Sequence, residues 1–381
     1  MKRVKVDFIT NIAPHYRLAL WRNLLNESEL DVEFIYADNG RDSIRKIESS
    51  DLPKELSARL HRSLKNLYFR GALIWQIGVI QKTLNTEAEV IVFLGDMNVL
   101  STWISVVIAK LRRKIIIFWG HGAYGHEGRI KMAIRRFFNS LSDMYFVYGQ
   151  HGAKLLSAQG HNQREIHVVY NSLDHKALCK IREDVIDPHF FLQSDFFSDN
   201  TAPVLVFVGR LTSQKSLHLL IRVAKELNGK GKIVNILFVG DGPAREKLES
   251  LACSISGQVH FYGACYDEYE LGRMIANADL CVSPGEVGLT AIHALSFGTP
   301  VCTHGAMEYQ MPEAEVVIHG QTGVFYDRDE CDLTKTVEWW LDQDMSRDEI
   351  RRNCYDLIDT NWNPDRQAEI IRTSIVRKVG V

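Results

Sequence analysis

The sequence lacks an excess of either charge. Its 45 Lys and Arg stand against 47 Asp and Glu, for a formal net charge of −2, so no global field draws in a polyanion and nucleic acid is not an expected partner. It also lacks any CxxC pair. The seven cysteines (Cys179, Cys253, Cys265, Cys281, Cys302, Cys331 and Cys354) are scattered, and several sit inside apolar strand-like runs. That suits reduced, buried thiols and a cytoplasmic setting. No apolar run reaches the roughly 20 residues that span a bilayer; the longest, Gly71 to Ile80 and Val99 to Ala109, fall well short. The start, Met1 to Thr10, is charged and then strand-like, without the apolar core of a signal peptide. Solenoid repeats, low-complexity tracts and charge blocks are missing.

What is there is an alternation. At 381 residues the chain exceeds what one core usually supports, and two domains are expected. Short β-rich runs recur at Val4 to Thr10, Val32 to Tyr36, Val90 to Leu94, Ile115 to Trp119, Met144 to Tyr148 and Ile166 to Val169, with helix-length stretches between them. Asp184 to Pro203 breaks this pattern and reads as a linker or irregular interdomain segment. The alternation then restarts at Val204 to Gly209, Ile233 to Gly240, Val259 to Tyr262, Leu280 to Ser283, Val301 to Thr303 and Gly323 to Tyr326. Strands that alternate with helices imply α/β domains with doubly wound parallel sheets. The boundaries fall near 1–180 and 200–350, and a helical tail from about 355 to 381 is expected to cross back onto the first domain. Two such sheets create a cleft, and ligands bind beyond their C-terminal strand ends.

Three segments of the second half carry chemistry. In VLVFVGRLTSQKSLHLLIRVAKEL a buried strand ends at Gly209, and a helix is expected from near Ser216. Arg210 and Lys215 stand between them, where two cations beside helix amides would neutralise a diphosphate in place of a metal. In FVGDGPAREKLESLA the Gly240 to Pro243 turn lets the chain pass close to a ligand, with Gly242 permissive and Pro243 suited to a first helical turn. In LCVSPGEVGLTAIHALSFGTPVCTHG the stretch Gly285, Glu286, Val287, Gly288, Leu289 and Thr290 presents amides at a helix start, a second anion site. Glu286 and His293 stand where sugar hydroxyls could be bound. Taken singly, Arg210 and Lys215 would also suit solvated loop charges, the Gly240 to Pro243 segment a plain tight turn, and His293 a helix residue hydrogen-bonded within the core.

Together, VGRL with Lys215, VGDGP, YGAC before NADLCVSP, and GLTAIHALSFGTPV resemble the retaining GT-B glycosyltransferases of family 4, the glycosyl transferases group 1 family, of bacterial polysaccharide-biosynthesis type. The resemblance implies two Rossmann-like domains facing a central cleft. It implies a nucleotide-sugar donor on the second domain, with Arg210 and Lys215 on its diphosphate and Tyr262, Gly263 and Tyr266 beside its base. The family's two glutamates with seven residues between them are not reproduced: Gly285 and His293 hold those positions, with Glu286 displaced by one. Glu286 is then expected on the sugar and His293 on the ribose. In IIIFWGHGAYGHEGR, His121 stands past a strand where the family often has a sugar-contacting histidine, and His126 follows on the acceptor side. In the loop after the first strand His15, Tyr16 and Arg17 are candidate acceptor contacts, although the family's paired glycines are missing there. No cofactor and no metal are expected.

The acceptor implied is a saccharide, free or lipid-linked. Two basic, apolar stretches, Leu60 to Ile80 and Arg129 to Phe138, suit either an anionic membrane surface on the inner face of the plasma membrane or an ordinary core with solvated bases. The competing readings are a GT-B sugar-nucleotide epimerase and a non-catalytic nucleotide-sugar-binding protein.

Overall fold

The computed structural model describes residues 3–40, 45–69 and 72–380; Met1, Lys2, Arg70 and Gly71 of the segments named above lie outside them. Contacts divide the chain into two units, 1–174 with 363–381, and 175–362.

The first unit contains β1 (Val4–Thr10), α1 (Leu18–Leu25), β2 (Leu30–Ala37), α2 (Lys54–Ser57), β3 (Leu60–Tyr68), β4 (Ile74–Ile77), α3 (Val79–Asn85), β5 (Val90–Leu94), α4 (Leu100–Leu111), β6 (Ile115–Gly120), α5 (Arg129–Asn139), β7 (Met144–Val147), α6 (Gln150–Ala158) and β8 (Ile166–Val168). Its sheet runs β4-β3-β2-β1-β5-β6-β7-β8. All neighbours are parallel except β3 and β4, which pair antiparallel from Lys65↔Ile77 to Tyr68↔Ile74. This edge hairpin corrects the expectation of a wholly parallel sheet. Alternate residues of the central strands feed opposite cores, because a strand buried on both faces must be apolar throughout. Phe8, Phe34 and Trp119 join one cluster, and Ile9, Ile35 and Phe118 the other. Trp21 of α1 stacks on Phe34 at 4.0 Å, and Phe138 of α5 on Phe118 at 4.5 Å.

The second unit contains α7 (His175–Ile181), β9 (Val204–Val208), α8 (His218–Gly229), β10 (Asn235–Val239), α9 (Arg245–Ala252), β11 (Val259–Gly263), α10 (Glu268–Ala276), β12 (Leu280–Ser283), α11 (Leu289–Ser296), β13 (Val301–His304), β14 (Gly323–Tyr326), α12 (Glu330–Leu341) and α13 (Arg347–Asn361). Its strands are all parallel in the order β11-β10-β9-β12-β13-β14. The segment 184–203 is irregular but not a free linker. Val185, Phe190, Phe191 and Phe197 are buried in this unit, and Phe196 stacks on His260 at 4.5 Å. Burying that much aromatic surface outweighs the absence of regular hydrogen bonding.

The chain then returns. Asn363 caps α14 (Pro364–Val379) by accepting from Arg366 N at 2.8 Å, and Pro364 stands where its missing N–H costs nothing. Ile371 and Ile375 are fully buried in the first unit's core. Gln367 accepts from Ser172 Oγ at 2.7 Å and donates to Tyr170 O at 3.0 Å.

Candidate functional site

In the second sheet, β9 and β12 are neighbours whose following connections leave in opposite directions, so their C-terminal ends form a switch-point crevice. The loop after β9 carries Gly209, Arg210 and Lys215; the turn after β12 carries Gly285 to Thr290. Gly209, Gly240 and Gly242 take φ of +139°, +149° and +158°. A Cβ on Gly240 would stand 1.9 Å from Gly209 O, and one on Gly242 2.4 Å from Leu211 O, so only glycine lets the two loops knit. Leu211 N–H donates to Asp241 O at 2.9 Å. Pro243 lies in the turn ahead of the α9 N-cap Ala244 rather than in the helix. The helix after β9 starts at His218, two residues beyond Ser216. Ser216 adopts φ +52°, and Lys215 ends a short 3-10 turn.

The two loops meet at Lys215. Its Nζ donates to Glu286 O at 2.8 Å and stands 3.8 Å from the Glu286 carboxylate, while Gly285 N–H donates to Lys215 O at 3.0 Å. Burial lowers the Lys215 pKa, against the pull of Glu286 and Glu313. Arg210 is exposed and makes no hydrogen bond or ion pair among the described residues. Thr290 Oγ1 donates to Val208 O at 3.0 Å, pinning the start of α11 to β9. The Val287 amide is not open to a ligand. It donates to Gln310 Oε1 at 2.9 Å, so the expected run of free amides from Gly285 to Thr290 is interrupted there.

On the other side of the crevice, His293 Nε2 meets the Glu268 carboxylate at 3.0 Å, so part of its bonding capacity is already used. Gly263, at φ +92°, accepts from Gly240 N–H at 2.7 Å. Tyr262 packs edge-on against Phe196, whereas Tyr266 is 92% exposed and touches nothing that would orient it. Sequence reasoning missed His304, which ends β13 and is 2% exposed. It helps line a cavity of about 540 Å³ with Ser213, Gln214, Gly285, Glu286 and Arg328. Burial, then Arg328, pushes the His304 pKa down to about 4.

The first unit has its own crevice, where β1 and β5 are adjacent. A cavity of about 590 Å³ there is lined by Tyr16, Arg17, Asp96, His121, His126 and Glu127, among others. Tyr16, Arg17, His121 and His126 thus come together as expected. His15 does not: its ring lies 4.0 Å from Asp51, outside the cavity lining. Burial, then Arg17 and Arg135, lowers the His121 pKa to about 4, so the imidazole is neutral. Its ring meets Tyr148 edge-on at 5.1 Å. Glu127 accepts two bonds from the buried Arg135, at 2.6 and 2.7 Å, and lies 3.0 Å from Lys131. Burial opposes the Glu127 charge, and these two cations override it.

One cluster of metal-ligand type exists among the described residues. His175, Cys179 and Asp359 bring ligand atoms within 4.8 Å of one another. Arg182 donates to both Asp359 oxygens at 2.9 and 3.0 Å, placing a fixed cation on the carboxylate a metal would need. No helix of the described residues is long and apolar enough to cross a membrane.

Residues 191–356 match the family described as glycosyl transferases group 1. The α-D-kanosaminyltransferase of Streptomyces kanamyceticus is 24% identical over 185 residues, 47% of this chain and 46% of that protein. The chain thus spans under half the length of this curated relative. Among solved structures, Anabaena Alr3699/HepE in complex with UDP superposes with a TM-score of 0.68 at 14% identity, covering 98% of this chain and all of the other. The lipopolysaccharide outer core galactosyltransferase WaaB gives 0.67 at 15% identity, covering 98% and 100%. The family match covers both loops that meet at Lys215, and the structural matches extend over nearly the whole chain. The chain thus resembles the glycosyl transferases group 1 family over residues 191–356, and its two units have the GT-B fold.

Proposed function

We propose that the protein is a retaining, metal-independent glycosyltransferase that moves a hexosyl group from a nucleotide-diphosphate sugar to a saccharide acceptor in cell-surface polysaccharide biosynthesis. The observation that carries this reading is the half-buried Lys215 ammonium held at the switch point against the Gly285–Glu286 turn. A partly desolvated cation stabilises negative charge more than a fully exposed one, and the charge that grows in this reaction is that of the departing diphosphate. Arg210, exposed and uncommitted, supplies the second cation. Glu286 and the amides of Gly288 to Thr290 would meet the donor sugar, and the His293–Glu268 pair would serve the ribose. Neutral His121 both donates and accepts hydrogen bonds, which suits a sugar hydroxyl. The acceptor hydroxyl attacks the anomeric carbon on the face that the diphosphate leaves and passes its proton to the departing diphosphate oxygen, so configuration is retained without a protein nucleophile.

Thermal-shift screening against UDP-, GDP- and dTDP-sugars tests the donor assignment. One class should stabilise the protein, and Arg210→Ala/Lys215→Ala should abolish the shift. Nucleoside diphosphate release that needs an acceptor, and continues in EDTA, separates transfer from epimerisation. Equal turnover without acceptor would refute the transferase reading.

A lipid-linked acceptor is supported by the outer face of α4 and α5. Ile130, Ile134 and Phe137 share one face of α5, the first 80% and the last 62% exposed, and Phe137 lies 6.0 Å from Trp103 of α4. Leu111 of α4 is 80% exposed. Arg113, just past α4, and Arg129, which opens α5, are exposed at the ends of these helices, and bases beside exposed apolar residues suit an anionic bilayer. Flotation with phosphatidylglycerol vesicles should retain the protein at low salt and lose the Ile130→Ser/Phe137→Ser variant. Equal flotation of both would remove α5 from the membrane contact.

A further inference from the structure

Arg17 is a cation without a counter-ion. It closes the short turn after β1, and its guanidinium lies over the Trp119 ring at 4.7 Å and the Tyr148 ring at 5.5 Å while donating to the Tyr148 hydroxyl. Among the described residues no carboxylate comes within 4.0 Å of it, and its buried Nε has no acceptor. The nearby carboxylates are committed elsewhere. Glu127 is bound by Arg135 and Lys131, and Asp96 accepts from Asn98 N at 2.9 Å and from Asn98 Nδ2 at 2.8 Å. Arg17, Lys131 and Arg135 therefore face only Asp96 and Glu127 across the cavity lining. His121 does not cancel or add to this excess, since it is held neutral beside Arg17.

A half-buried charge that lacks a partner is costly to fold and is retained cheaply only if an opposite charge arrives. The ring faces of Trp119 and Tyr148 fix the plane of the guanidinium, which loses little further freedom when a planar or tetrahedral oxyanion docks on its edge. We propose that the first-unit cavity takes an acidic acceptor, and that Arg17 binds its oxyanion. This rests on the glycosyltransferase reading for the word acceptor, but not for the anion site itself. The oxyanion is either the carboxylate of an acidic sugar or the phosphate of a lipid-linked one. Both present two oxygens to the same guanidinium edge.

The test uses the full-length Arg210→Ala/Lys215→Ala variant, which lacks the two cations proposed to hold the donor diphosphate. Methyl β-glucuronide, methyl β-glucoside and inorganic phosphate are titrated by ligand-observed NMR, and binding in the cavity is followed through the ring signals of His121. Glucuronide or phosphate should bind at least about tenfold more tightly than glucoside. Adding Arg17→Met should erase that preference, with the melting temperature recorded to show that the first unit stays folded. Arg17→Lys, which keeps the charge but not the fork, should retain part of it. Glucuronide binding without phosphate assigns the carboxylate, and phosphate binding without glucuronide assigns the phosphate. Glucoside binding equal to both anions, no perturbation of His121 by any probe, or a preference that survives in folded Arg17→Met would overturn the proposal. Failure of the wild-type protein to bind any nucleotide sugar would instead remove the transferase reading and leave this site standing.

Discussion

Gly285 is where the turn after β12 rests on the backbone that carries Lys215, and Gly285→Ala tests whether that contact builds the site. A Cβ at this position would stand 2.3 Å from Gln214 O and 2.8 Å from Lys215 Cα. Both are main-chain atoms, so no flexible side chain can swing aside, and one loop must move. Overpacking of this kind costs about 1–3 kcal/mol. Stretching the Gly285 N–H bond to Lys215 O removes roughly a further 1 kcal/mol. A total of about 2–4 kcal/mol, at roughly 2–4 °C per kcal/mol for a unit of this size, predicts a fall in melting temperature of about 4–16 °C. The same movement draws Lys215 away from Glu286, so nucleotide-sugar affinity should drop by about tenfold or more. Calorimetry of the second unit's transition with and without donor reads both effects. Gly229→Ala is the control, because it ends α8 and nothing lies within 4 Å of the added carbon. The reasoning is refuted if Gly285→Ala melts with the wild type and binds donor equally well.

Glu127→Ala should destabilise the first unit by about 3–5 kcal/mol in urea unfolding, because it strands the buried Arg135 cation, while Glu127→Gln should cost less. His121 titrates at about 4 when folded and near 6.5 when unfolded, so the unfolded chain takes up the proton first. First-unit stability should therefore decline as pH falls from about 6.5 to about 4, by at most about 3 kcal/mol, and His121→Gln should flatten that slope in pH-resolved melts. His304→Gln should do the same for the second unit's transition, since His304 is likewise held near 4. Thr290→Val removes the bond to Val208 O and should lower the second unit's stability by about 1 kcal/mol, a denaturation midpoint shift that an unshifted curve would contradict.

Most strands were legible because strands buried on both faces are continuous apolar runs ended by turn residues, as in Val204 to Gly209 and in Leu280 to Ser283 ahead of Pro284. β3 and β4 were not. Leu60 to Tyr68 interleaves His, Arg and Lys with leucines, since it lies near the sheet edge with one side wet, and such a run reads equally well as an amphipathic surface segment. The grouping of Tyr16, Arg17, His121 and His126 followed from one rule, that loops at C-terminal strand ends converge at a switch point. That rule would also have found His304, the polar residue closing buried β13. It could not separate His15 from Arg17, because successive residues of a 3-10 turn point in different directions. The Gln310 side chain capturing the Val287 amide lies 23 residues away. Nothing local in either segment records that pairing.

The position of α14 sets an order on synthesis. Ile371 and Ile375 fill the core beneath α1, yet they leave the ribosome only after every residue of 175–362. The sheet containing β9 to β14 can close while the nascent chain is still attached, whereas the earlier-made half must wait with Trp21 and its neighbours incompletely covered. A chaperone that holds apolar surface during translation would therefore be expected to dwell on the amino-terminal half.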